Sequence, residues 1–154
     1  MKIQWKTLAI CVLIPLVVGG ISALLTKNGM EAFNAVNKPA LTPPNWLFPV
    51  VWSILFLLMG IASYLIYTSG QPAKGALTVY GIQLGFNFLW SFFFFNLQWY
   101  LFSFAWLVVL WVLILLTIKE FSQISKTAAA LMVPYLLWVT FAGYLNLGVY
   151  LLNS

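Results

Sequence analysis

Histidine is absent from this 154-residue chain, cysteine occurs once (Cys11), and the only acidic residues are Glu31 and Glu120. Without histidine, a second cysteine or a pair of carboxylates in one span, the chain has no parts for a zinc site, a Ser-His-Asp triad, a disulfide or a proton-relay dyad. Charge is scarce: 6% of residues are charged, against about 25% in a soluble domain. With 64% hydrophobic residues and a mean hydropathy of +1.01, the chain cannot cover a water-facing surface and is expected to lie in a lipid bilayer. No internal repeat or low-complexity tract is visible, so residues 1–154 read as one domain. Any ligand must be held by aromatics, amides and hydroxyls, with no metal.

The few charges mark out the spans. A helix needs about 20 residues to cross a hydrocarbon core of about 30 Å. The 44 uncharged residues between Lys74 and Lys119 must therefore fold back once, best at the polar cluster Asn96-Leu97-Gln98. The expected fold class is all-α: an integral membrane bundle of five transmembrane helices at roughly 7–25, 46–67, 76–96, 99–118 and 128–152. The net charge of +5 does not point to nucleic acid here. Lys2, Lys6, Lys74, Lys119 and Lys126 gather at one side of such a bundle and Lys27 and Lys38 at the other, which places the N-terminus in the cytoplasm by the positive-inside rule. The first helix resembles a signal peptide, but no small-residue cleavage pattern follows, and Gly19, Gly20, Ser22 and Ala23 suit helix packing.

The first loop is the one long connection and ends in Lys38-Pro39-Ala40-Leu41-Thr42-Pro43-Pro44-Asn45-Trp46. Thr42 is expected as the N-cap of the second span with Pro43 at its first position. Pro39, Thr42, Pro43 and Pro44 are read as a stiff lid over a cavity, the alternative being a rigid helix start alone.

Helical spacing sorts the polar and aromatic residues into faces. Tyr80, Gln83, Asn87, Trp90 and Phe94 share one side of the third span, and Gly81 and Gly85 fall on the other. The fifth span contributes Tyr135, Trp138, Ala142 and Asn146; the second Pro49, Trp52, Phe56, Gly60 and Ser63; the first Pro15, Gly19 and Ser22. The fourth offers little beyond Ser103 and is read as a packing helix. Pro15 and Pro134 are expected to kink their spans and help open a space. Counted from the first-loop end, Trp52, Trp90 and Asn146 lie about 9 Å deep, Asn87 and Ala142 about 15 Å and Trp138 about 21 Å. Trp5, Trp46 and Trp99 sit where interface anchors belong. Trp52, Trp90 and Trp138 are too deep for that belt, which leaves cavity lining or plain packing. For Asn87 and Gln83 the choice is between interhelical glue and ligand contact.

The first-loop run, followed by Val51-Trp52 and Met59-Gly60, resembles the signature of the TspO/MBR family, the tryptophan-rich sensory proteins related to the mitochondrial translocator protein, once called the peripheral benzodiazepine receptor. Gln83, Asn87 and Trp90, with Pro134-Tyr135-Leu136-Leu137-Trp138 and Leu145-Asn146, are similar to the family's third- and fifth-helix patterns. The resemblance implies a five-helix bundle in the bacterial plasma membrane. It also implies binding of porphyrins such as protoporphyrin IX, and of hydrophobic drugs, in a pocket under the first loop. By the same resemblance that pocket is lined by Ser22, Ala23, Trp52, Phe56, Asn87, Trp90, Trp138, Ala142 and Asn146; Gln83 joins this set from its place on the same helical face. No cofactor is required, porphyrin being ligand or substrate. Some members resemble light- and oxygen-dependent porphyrin-degrading catalysts, which would make Trp52 and Trp138 catalytic.

The expected function is a membrane receptor or sensor for tetrapyrroles, metal-free porphyrin above haem because histidine is missing. Lys27 and Lys38 would sit at the mouth for its propionates. A photo-oxidative enzyme is the alternative and a transporter the third reading, for which repeats or paired broken helices would be expected. Gly81 and Gly85 form a small-xxx-small pattern, which either joins helices within one chain or, read with the resemblance, is a homodimer seam. Departures from the family pattern are Phe33-Asn34 for Trp-Tyr and Leu41 for Trp, expected to weaken lid contacts, and Trp106 for an acid. The chain ends Leu-Leu-Asn-Ser without the basic residue of the proposed cholesterol pattern, which argues against sterol binding.

Overall fold

Five long apolar helices dominate the computed structural model, which describes residues 2–154; no strand occurs among them. Helix α1 is Trp5–Thr26, α2 Gly29–Ala35, α3 Leu47–Tyr67, α4 Lys74–Ser91, α5 Tyr100–Ser122 and α6 Lys126–Asn153. Their lengths and hydropathies suit membrane crossing for α1, α3, α4 with its extension, α5 and α6. The chain is an integral membrane protein with the expected all-α, five-span architecture. Pro15 and Pro134 lie inside α1 and α6, which run through them uninterrupted.

The fold-back at Asn96-Leu97-Gln98 has a definite form. α4 loosens into a π-helical turn, Phe92–Asn96, and Gln98 adopts φ of 56°, the left-handed conformation that reverses the chain. The π turn re-aims the end of the helix: the Asn96 amide donates to Leu25 O at 2.8 Å, and Phe95 O stands 2.6 Å from where a Cβ on Gly29 would lie. The junction between α1 and α2 is thereby tied to α4.

The spans form a ring. α1 packs on α3, α3 on α6, α6 on α5 and α5 on α4, with a slighter contact between α4 and α1 closing it. The interior is apolar and aromatic, with Met59, Ile66, Leu110, Ile114, Phe121, Met132, Tyr135 and Val139 almost fully buried. α1 is the least engaged span. It meets α3 from the lysine-rich end, where Tyr64 accepts from Gln4 N at 2.9 Å, to mid-span, where Gly60 would place a Cβ 2.5 Å from Val12 Cα.

The first loop differs from expectation. Thr42 does not cap α3: its hydroxyl donates to Pro39 O at 2.7 Å, and the helix begins at Leu47. Thr42 serves a local turn in which Leu41 takes φ of 70°. Within the loop the short helix α2 forms, a feature not expected from the sequence, because seven residues carry too little periodicity to register.

Candidate functional site

A cavity of about 590 Å³ opens between α1, α3, α4 and α6 in the half of the bundle nearest the first loop. The helical spacing brings Ser22, Ala23, Trp52, Phe56, Asn87, Trp90, Trp138, Ala142 and Asn146 into its lining. Gln83 is not among them. It is fully buried below, where Tyr135 Oη donates to its Oε1 at 2.7 Å and the Asn87 amide donates to Tyr135 Oη at 2.6 Å. One helical turn separates Asn87 from Gln83, enough to put one in the wall and the other beneath the floor.

The wall is an aromatic assembly. Trp52 stacks on Phe56 with centroids 5.5 Å apart and meets Trp138 edge-on at 6.4 Å; Phe48 meets Trp138 at 6.1 Å. Opposite, Trp90 stacks on Phe94 at 5.2 Å. Its indole is fixed, because Nε1 donates to Asn146 Oδ1 at 3.0 Å, an oxygen that also accepts from Ser103 at 3.1 Å. The Asn146 amide donates in turn to Tyr100 O at 2.8 Å. Asn146 is therefore committed to joining α4, α5 and α6, and Ser103 gives the packing helix a part in the site. Asn87 spends its amide on Tyr135. Trp138 Nε1 is buried without a partner among the described residues, an unsatisfied donor within the cavity wall.

The covering elements are not those read from the prolines. Met30 and Phe33 of α2 roof the cavity, with Asn45 and Trp46 at its edge; Pro39, Thr42, Pro43 and Pro44 lie outside the lining. Pro39 instead packs on α6, 2.6 Å from where a Cβ on Gly148 would lie, and Ala40 O accepts from Tyr144 at 2.6 Å. Asn153 exchanges two hydrogen bonds with Asn37, at 3.0 and 2.8 Å. The proline-rich segment is a strap that anchors the loop to α6 and suspends α2. Phe33 is 3% exposed and wedged against Phe48, Phe94 and Phe95, so the phenylalanine at this departure from the family pattern still supplies a roof. Lys38 is not free at the mouth: its Nζ donates to the carbonyls of Phe33, Asn34 and Val36, closing the end of α2. Lys27 does line the cavity rim.

Met30 and Phe95 escape sequence reasoning because α2 and the π turn that place them carry no periodic signal; Phe33 is reached only through the family resemblance, as a lid contact. Trp106 stacks on Phe86 at 4.2 Å and donates to Phe86 O at 2.9 Å, outside the cavity.

Comparison with known proteins places the chain in a family. The chain is 40% identical to the tryptophan-rich protein TspO of Chlorobaculum tepidum over 99% of both chains. It is 37% identical to a tryptophan-rich sensory protein of Cereibacter sphaeroides, over 80% of this chain and 77% of the relative. It is 31% identical to the translocator protein of Bos taurus, over 87% and 82%. The profile of the TspO/MBR family matches residues 11–152, nearly every residue of the five spans and the loop that roofs the cavity, and the chain belongs to that family.

Proposed function

We propose that this protein is a membrane receptor or sensor that binds porphyrins, and other flat hydrophobic molecules, in the cavity beneath α2. The observation that carries the reading is the aromatic slot itself. Trp52, Phe56, Trp90 and Trp138 offer ring faces and edges to a planar ligand, in a volume of about 590 Å³ typical of small-molecule sites. Lys27 at the rim offers one cation to a propionate. The name of the Cereibacter relative supports the sensory role. The protein works without a resident cofactor, in the plasma membrane of a bacterium, with the five-lysine end in the cytoplasm. Absorbance titration of purified protein with protoporphyrin IX in darkness tests the reading: a saturable red shift of the porphyrin band is expected, and a titration no different from empty detergent micelles would sink it.

The edge-to-face pair Trp52 and Trp138 favours a second reading, light-driven porphyrin degradation, because both oxidisable indoles stand in one wall. If their oxidation is part of a reaction, Trp52→Phe and Trp138→Phe keep most stacking area but lose the indole, and porphyrin loss under light should fall far more than affinity. The measurement is bleaching of the porphyrin band per illuminated mole of protein at saturating ligand. Equal rates in wild type and both variants would leave a binder.

The same proposal includes a homodimer through α4. A Cβ added at Gly81 or Gly85 would meet nothing within 4 Å, so the side of α4 opposite the cavity is smooth and unoccupied within the protomer. Gly85→Leu is expected to give monomers in native mass measurements without loss of fold, and persistent dimers would rule out this seam.

A further inference from the structure

The cavity is roofed by α2, and exposed small residues line one of its sides. Above, Phe33 is buried and the Asn45 amide bridges to Asn34 Oδ1 at 2.6 Å, joining α2 to the start of α3. At the side, α1 and α3 are joined from the lysine-rich end as far as Phe56 and Gly19. Gly60 seats on the α1 backbone at Val12, and Phe56 fills the space beside Gly19. Six residues further on, the end of α1 is tied to the end of α4 through Asn96 and Leu25. Gly20 and Ala23 on α1 and Pro49 and Ser53 on α3 border a gap on this side. All four line the cavity and all four are exposed. Gly20 has no atom within 4 Å of a Cβ placed upon it.

We infer that this gap is a window through which apolar ligands pass between the hydrocarbon of the bilayer and the cavity, with Gly20 and Ser53 as its jambs. Both residues are small, so a ring can slide between the helices, and both lie at the depth of acyl chains, more than a turn inside the span ends. A molecule that partitions into lipid is concentrated at the window and loses no hydration on the way in, whereas the route through the loop would require α2 to lift Phe33 from its three aromatic neighbours. The inference rests on the cavity described above but not on porphyrin being its natural occupant.

The test places a thiol inside the cavity and follows its capture from the membrane. In a Cys11→Ser background, Ala142→Cys is incorporated in phosphatidylcholine vesicles and treated with pyrene maleimide, a flat apolar thiol reagent. Gly20→Phe and, separately, Ser53→Phe should slow labelling by at least about tenfold, a barrier increase of about 1.4 kcal/mol. Locking the roof with an oxidised Asn34→Cys/Asn45→Cys pair should leave the rate unchanged. Labelling that ignores both phenylalanines, labelling abolished by the locked roof, or no labelling of the folded protein at all would each overturn the window. Because each jamb is changed alone, misfolding of one variant, detected by its melting temperature, leaves the other to decide. Normal labelling with failed porphyrin titration would refute the proposed ligand and keep the route.

Discussion

Trp138→Ala and Trp52→Ala should each weaken protoporphyrin IX binding by about thirtyfold or more, while the bundle stays folded. These two indoles meet edge-on at 6.4 Å and are braced by Phe48 and Phe56, so either truncation takes away one side of the slot and loosens the ring packed on it. Truncating a buried aromatic anchor of this kind commonly costs more than about 2 kcal/mol of binding, which is the thirtyfold. Neither residue is among the completely buried ones, and neither donates a hydrogen bond that holds two helices together, in contrast to Trp90 with Asn146. Fluorescence titration and thermal melting of the same samples check both halves. Unchanged dissociation constants in both variants would remove the slot from the binding reaction.

Gly60→Val is expected to have the opposite profile, a loss of stability on the order of 3 kcal/mol or more with the aromatic wall chemically intact. A Cβ at this position would lie 2.5 Å from Val12 Cα and 2.8 Å from Cys11 O, and backbone atoms cannot rotate away as a side chain can. α1 would have to separate from α3 at the place where the two are most closely joined, widening the window above it as well. The measurement is the melting temperature in detergent, with Gly75→Val as comparison, since a Cβ at that position meets nothing within 4 Å. Equal melting temperatures for Gly60→Val and wild type would mean that α1 is not held by this contact.

The pairing of these glycines illustrates what could be read from the chain alone. Period and charge sufficed for five spans, because a bilayer demands about 20 apolar residues per crossing and lysines cannot be left inside it. The same period set Asn87, Trp90, Trp138, Ala142 and Asn146 on inward faces, since residues three or four apart on a helix have no other common side. It also set Gly81 and Gly85 outward, where they are found. The resemblance of the first-loop run then named a family to which the chain does belong.

Tertiary structure decided the rest. How the inward amides are used depends on partners in other helices: Tyr135 bonds both Asn87 in the wall and Gln83 beneath it, and Trp90 bonds Asn146. Lys38 and the prolines looked like a mouth and a lid because a cation and a stiff loop near a cavity suggest those parts. Carbonyls left open at the end of α2 took the lysine, and the smooth face around Gly148 took Pro39. The roof fell to α2, a helix too short to announce itself in sequence, seated by a π turn whose extra residue has no periodic signature. Helical period fixes the direction of a side chain about its own axis, but the distance and tilt between axes come from packing, and those determined where this bundle closed and where it stayed open.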